Sequence, residues 1–180
     1  HLASGSTVLG TRLLVAVFNP FSGNAVLDMH FETSDGVREP TELQGFPVPG
    51  RSVRVVDLTD HIPERTSVAT TIRARSGQVV VDRLQVHDGT RDQPLGLEVS
   101  PAVPFAQPSW VLPGDPAADG MSDEVVIYNP STESVQLDVA YRLDDPLLLD
   151  PEPYGVTVRP GRVAVIDPAD DNRVPQGATA

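Results

Sequence analysis

The chain has 180 residues with 18 prolines, a formal net charge of −12 and no cysteine. Proline at about twice its usual share of roughly 5 % argues against a helical protein, because each proline inside a helix costs about 3 kcal/mol. The negative charge repels phosphate backbones and anionic membranes, and the lack of thiols removes disulfides, a cysteine nucleophile and thiolate metal sites.

All 13 basic residues are arginine, which together with abundant Ala, Val, Asp and Pro reads as a high-GC coding bias. Hydrophobic residues make up 39 %, enough for a folded, soluble protein. The longest apolar run, Leu13 to Phe18, is far shorter than the ~20 residues of a membrane helix.

In chain order, residues 1–10 are small and polar and read as a frayed end or a cloning remnant without a fold of their own. A strand is predicted over Arg12 to Phe18, then a turn at Asn19-Pro20-Phe21-Ser22-Gly23-Asn24, whose Asn-Pro and Gly-Asn pairs are turn formers. The clearest period of two follows. Ala25, Leu27, Met29 and Phe31 face one way and Val26, Asp28, His30 and Glu32 the other, as in a half-buried strand. Ser34-Asp35-Gly36 ends it, and a proline-bearing connection leads to Val48-Pro49-Gly50, where Pro-Gly predicts a type II turn before the strand Ser52 to Asp57. Beyond Asp60-His61-Ile62-Pro63, a long hairpin is predicted from Val68 to Arg75 and Val79 to Val86, closed by Ser76-Gly77. Asp88 to Pro108, rich in Gly and Pro, reads as a linker.

The pattern then repeats. Val17-Phe18-Asn19-Pro20 returns as Ile127-Tyr128-Asn129-Pro130. Val135, Leu137, Val139 and Tyr141 take the inward positions, Gln136, Asp138, Ala140 and Arg142 the outward ones. Asp144-Asp145-Pro146 ends that strand, and Arg159-Pro160-Gly161 precedes the strand Arg162 to Asp167. Two modules follow from this, residues 1–104 and 105–180. The second opens with Ser109-Trp110-Val111-Leu112-Pro113-Gly114, which has no counterpart before Arg12, and after Val174-Pro175 it stops without a hairpin. The chain therefore reads as a piece cut from a longer array. A module without its edge hairpin leaves backbone groups unpaired, to be covered by the rest of a longer chain, by strands of a second chain or by terminal segments.

No constellation predicts catalysis. The four histidines, His1, His30, His61 and His87, lie at the terminus, on an outward strand face or in Asp-rich turns, and no G-x-S-x-G elbow is present. Asp57, Asp60 and His61, or Asp167, Asp170, Asp171 and Asn172, have the ligand types of a hard-cation site. Without EF-hand spacing they read as Asx-turns and solvated charge, so no metal or cofactor is expected. The carboxylate pairs Asp123-Glu124, Asp144-Asp145 and Asp150 with Glu152 carry no spacing information for a glycosidase. Trp110 and Tyr154 are the candidate ligand contacts, as a sugar-stacking platform, while Phe18 with Tyr128 and Phe31 with Tyr141 read as matched core positions.

Taken together, Trp110, Asn129-Pro130 and Val135 to Tyr141 in the second copy, and Asn19-Pro20, Ala25 to Phe31, Val48-Pro49-Gly50-Arg51, Val55 to Leu58 and Val79 to Leu84 in the first, form an ordered set. That order resembles the small β-sandwich family of the microbial sensory rhodopsin transducer, and is similar to tandem β-sandwich repeats of exported actinobacterial proteins. The resemblance implies antiparallel β-sandwiches of an Ig-like or transducer-like kind, a non-enzymatic role, a tendency to assemble and, in some relatives, carbohydrate binding. The expectation is an all-β chain of two tandem antiparallel β-sandwich modules, the second lacking its closing hairpin. It would serve as a structural, assembly or protein-interaction module of an exported or envelope-associated protein, acting through sheet edges and faces. The alternative is a carbohydrate-binding module. Self-association or a protein partner is expected; nucleic acid and membrane insertion are not.

Overall fold

The computed structural model describes residues 1–90, 95–112, 124–144, 147–168 and 170–174. Among them every strand pairing is antiparallel, there is no α-helix, and no helix is long and apolar enough to cross a membrane. The chain forms two compact units, His1–Phe105 and Ala106–Ala180.

The first unit is a β-sandwich. One sheet has the order β5-β1-β7-β8, from β1 (Thr11–Asn19), β5 (Ser52–Asp57), β7 (Val80–Asp88) and β8 (Leu95–Pro101). In the other, β2 (Ala25–Thr33) is central: β6 (Val68–Ser76) runs along one edge, and β4 (Gln44–Val48) and β3 (Gly36–Arg38) share the opposite edge in turn. The period of two in β2 sorts its side chains as expected, with Ala25, Leu27, Met29 and Phe31 wholly buried against Leu13, Val15, Val17, Val56 and Val81 of the facing sheet.

Several expectations are corrected. The segment Val68–Asp88 is an arch rather than a hairpin: β6 pairs with β2 and β7 with β1, so the chain crosses from one sheet to the other at Gly77. Gly77 has φ +76°, and a Cβ there would stand 2.8 Å from the Cβ of Ala25, so the crossing needs glycine twice over. The expected linker contains a strand, since β8 completes the sheet beside β7. The proline-bearing connections contain β4 and, in the second unit, β11. The left-handed residue of the turn after β4 is Arg51 (φ 54°), not Gly50. Gly50 is instead required by close approach, a Cβ there falling 2.2 Å from the Ser22 carbonyl oxygen. Gly161 (φ 60°), the counterpart of Arg51 in the second copy, adopts the same conformation.

The first ten residues are also part of the fold. Leu2, 4 % exposed, lies in the core and exchanges two backbone hydrogen bonds of 2.8 Å with Thr70 of β6. On its other side Ser6 N–H donates to Gln85 (2.8 Å) and Arg83 donates to Ser4 (2.8 Å). This strap explains the orientation of β7. Arg83 and Gln85 face inward to satisfy strap backbone and hydroxyls, which turns Val80, Leu84 and Val86 outward.

The second unit contains β9 (Val125–Asn129), β10 (Val135–Val139), β11 (Tyr154–Val158) and β12 (Arg162–Ile166). Its pairings follow the first unit at the displacement that carries Asn19 onto Asn129: Val125↔Ile166 stands for Val15↔Val56, and Val135↔Val158 for Ala25↔Val48, up to the bulge after Leu27 of β2, which β10 lacks. The two repeated asparagines anchor this match. Asn19 Nδ2 donates to the Gly23 and Val48 carbonyls (2.8 and 3.1 Å) while its Oδ1 accepts from Phe21 N–H (3.0 Å). Asn129 donates to Glu133 and Val158 (2.7 and 2.9 Å) and accepts from Ser131 (3.0 Å).

Asn19→Ala orphans two carbonyls and one amide at a site 1 % exposed. It is expected to destabilise the first unit by about 2–4 kcal/mol in chemical denaturation. Asn19→Asp should cost at least as much, since a carboxylate would face the same two carbonyls. A change within about 0.5 kcal/mol, the range of an ordinary surface substitution, would show that the clamp is not needed.

Candidate functional site

The two sheets of the first unit present opposite outer surfaces. Outside β2 and β6 lie Asp28, His30, Glu32, Arg73 and Arg75, with Arg75 paired to Asp28 at 2.6 Å and His30 Nδ1 2.6 Å from Glu39. Outside the sheet β5-β1-β7-β8 the cross-strand rows are largely apolar. They read Val53–Phe18–Val80, Val55–Ala16–Asp82–Pro101, Asp57–Leu14–Leu84–Val99 and Arg12–Val86–Leu97, with the Arg12–Asp57 ion pair at one end of the face. Phe18, Val53, Val55, Val80, Leu97 and Val99 are exposed. Antiparallel sheets commonly turn one polar face to water; here one sheet does so, and the other offers apolar side chains on both sides. Contiguous apolar patches of this kind mark interaction surfaces. Phe18 therefore belongs to this outer face rather than to the core, because it shares the outward parity of β1; Tyr128, its counterpart, is half-buried.

The second unit offers a different kind of surface. Among the described residues β9 pairs only with β12 and β10 only with β11, so each central strand has one unpaired edge. Val125, Ile127, Leu137 and Val139 sit at the register positions of Val15, Val17, Leu27 and Met29, yet they are half-buried where those four are wholly buried. The inward parity read from the sequence is kept, and among the described residues no further strand covers it.

The residues singled out from the sequence are placed as follows. Trp110 is 56 % exposed. Tyr154 is half-buried, its ring covered by the Arg173 guanidinium 3.4 Å from the centroid and its hydroxyl 3.4 Å from that of Tyr141. Asp57 is engaged by Arg12 (2.6 Å) and Thr59, and His61 Nδ1 lies 2.8 Å from Glu42. Among the described residues no three His, Asp or Glu side chains are grouped to hold a metal ion. Asp150 accepts from Arg142 (2.5 Å) and from Leu143 N–H (2.9 Å). Asp123, Asp145, Pro146, Pro94, Pro113, Gly114 and Pro175 lie outside the described residues. Two polar features escaped the sequence reading: Arg83, buried beside Glu98 and Ser100, and the His87 Nδ1, buried without a hydrogen-bond partner among the described residues. The inward parity of Arg83 and Gln85 opposite the apolar residues of β7 was the available signal.

Fold and surfaces together define an all-β protein of antiparallel sheets, with an exposed apolar face on the first unit. The chain belongs to a family of unknown function, DUF5719, which it matches over residues 1–180. No curated protein and no solved structure matches it.

Tyr141 and Asp171 tie the end of the second unit to β10 and β11. The Tyr141 hydroxyl donates to Asp171 at 3.1 Å, and Arg173 adds bonds of 2.7 and 2.8 Å. The Arg173 bonds hold the Asp171 carboxyl down from 3.8 to about 2, against the opposing effect of burial; burial and the neighbouring Tyr154 hydroxyl push the Tyr141 phenol up. A carboxylate whose folded pKa is depressed stabilises the fold above its unfolded value and loses that contribution as pH falls through the folded one. The protection of the β10 and β11 amides, exchange rates taken relative to the intrinsic rate at each pH, is therefore expected to fall between pH 3.8 and about 2, with a shallower pH dependence in Asp171→Asn. Identical profiles would exclude a role for this bond.

Proposed function

We propose that this chain is a non-enzymatic protein-interaction module of an exported or envelope-associated protein, which assembles through sheet faces and edges. The observation that supports this most directly is the outer surface of β5-β1-β7-β8, where Phe18, Val53, Val55, Val80, Leu97 and Val99 are exposed on four adjacent strands. Burying such residues against a partner yields about 25 cal/mol per Å², while the charged outer face of β2 and β6 keeps the opposite side soluble. The resemblance to transducer-like β-sandwiches supports the same reading. A net charge of −12 favours a partner with a neutral or basic rim over an acidic one.

Sedimentation or light scattering of the full chain should show self-association that rises with concentration, and the double variant Val55→Glu/Leu97→Glu should remain monomeric. As a surface change it should cost less than about 0.5 kcal/mol in stability. A wild-type chain that stays monomeric, and is retained no better than the double variant by envelope proteins, would refute the assignment.

Carbohydrate binding is the second reading, favoured by the exposure of Trp110. It predicts a polysaccharide hit on a glycan array that is lost in Trp110→Ala; absence of any hit, or a hit indifferent to the substitution, removes it.

A further inference from the structure

One end of the first unit gathers three connections that the apolar outer face does not use. They are the loop between β1 and β2 (residues 19–24), the turn after β4 (residues 49–51) and the corner at Gly77 where the chain crosses between sheets. An open cleft of about 420 Å³ lies there, lined by Asn19, Phe21, Gly23, Asn24, Gly77 and Gln78. That volume falls within the roughly 300–1,000 Å³ of small-ligand sites, and loops held at one end of a sandwich are a usual place for binding residues.

The walls of the cleft are fixed. Phe21 N–H donates to Asn19 Oδ1 (3.0 Å) and the Phe21 carbonyl accepts from Arg51 N–H (2.8 Å), so both backbone groups of this residue are tied. Asn24 Oδ1 accepts from Gly50 N–H at 3.2 Å. Opposite, Gly77 is left-handed (φ +76°) and lies against Ala25 and the Asn24 carbonyl, while Val79 packs on the core, which holds Gln78 between two set neighbours. The groups aimed at a ligand are nevertheless unused. The Phe21 ring is 51 % exposed, and neither Asn24 Nδ2 nor the Gln78 amide has a hydrogen-bond partner among the described residues.

The internal repeat shows that the fold does not require the ring. At the displacement that carries Asn19 onto Asn129, Phe21, Gly23 and Asn24 correspond to Ser131, Glu133 and Ser134, and the asparagine clamp forms all the same. The turn thus accepts serine where the first unit has phenylalanine. An aromatic ring outside the core, half in water on a tied backbone, is a preorganised contact for a ligand.

We infer that this cleft binds an uncharged saccharide unit, with Phe21 stacked on the apolar face of the sugar ring and the Gln78 and Asn24 amides bonded to its hydroxyls. The lining selects this class. A sugar ring offers C–H groups on its face and hydroxyls at its rim that both donate and accept, as a Gln or Asn amide also does. None of the six lining residues is ionisable, so a charged ligand finds no opposite charge among them, and an anion also meets the net charge of −12. At Gly23 and Gly77 no side chain keeps the ring from the backbone. The ligand class, taken from the lining, coincides with the second reading above; the site does not, since it lies wholly within the first unit and uses neither Trp110 nor the apolar outer face.

The test is titration of the isotope-labelled full chain with maltotriose, cellotriose, triacetylchitotriose, mannotriose and xylotriose, followed by amide chemical shifts. At least one sugar should move the amides of residues 21–24 and 76–79 and leave residues 110–112 unmoved, and trigalacturonate should not bind. Phe21→Ser, which copies Ser131, should weaken binding about tenfold at an unchanged melting temperature, and Phe21→Trp should preserve it. Gln78→Ala, at an exposed position with no partner to lose, should weaken it about fivefold and serves the same purpose if Phe21→Ser lowers stability. Trp110→Ala and Val55→Glu/Leu97→Glu should bind as the parent does. The inference is overturned if none of the neutral sugars moves these amides, if trigalacturonate binds more tightly than they do, or if a proline-rich peptide moves them and the sugars do not. Binding lost in Trp110→Ala but kept in Phe21→Ser overturns it as well, while leaving carbohydrate recognition at Trp110 standing; absence of all sugar binding ends both.

Discussion

A buried asparagine holds each half-sandwich together. Its amide reaches two carbonyls on different segments and its oxygen takes a backbone N–H, so the end of one strand, the turn after it and the strand 29 residues further on are fixed in a single geometry. Any apolar residue there would leave two carbonyls without donors in a site shut off from water, and any acid would repel them. Strand order around the clamp follows: β1 beside β5 and β2 beside β4, and β9 beside β12 and β10 beside β11, in matching registers. The clamp is local and needs no covering strands. This is why the second unit keeps its pairings although its inner face is only half covered.

The same half-sandwich thus appears in both units. In the first unit the arch and the amino-terminal strap finish the core, at the cost of turning Arg83 and Gln85 inward and three apolar residues of β7 outward. That inversion joins Val80, Leu84 and Val86 to the outward residues of β1, β5 and β8. The apolar outer face is therefore a consequence of how the sandwich is closed. Packing in the interior and the surface offered to a partner are coupled through the parity of a single strand.

Much of the strand pattern was legible in the chain. The alternation from Ala25 to Phe31 and the repeated Asn-Pro placed β1, β2, β9 and β10 and their inward sides, because a period of two is a local property. Less was legible in the connections. Prolines at positions 47 and 49 disguised β4, an edge-sharing strand that tolerates them, and Gly and Pro around β8 disguised the strand that completes the sheet. The outer face could not be read at all: valines of β7 and β8 look like core residues until the facing strap shows which parity is buried. Trp110 and Tyr154 were chosen as aromatic residues; the structure leaves one exposed and lays an arginine over the other.

By itself the amino-acid sequence determined the all-β character, the duplication that sets Asn129 in the place of Asn19, and the inward parity of the strands next to each asparagine. These depend on proline content, short-range alternation and turn chemistry, which act between near neighbours. Only the tertiary structure decided that Val68–Asp88 divides between two sheets, that residues 1–7 are core and edge rather than a loose end, and which face of β7 meets water. Those outcomes turn on hydrogen bonds between segments far apart in the chain, such as Thr7 with Arg65 and Ser4 with Arg83, whose partners leave no mark in local periodicity.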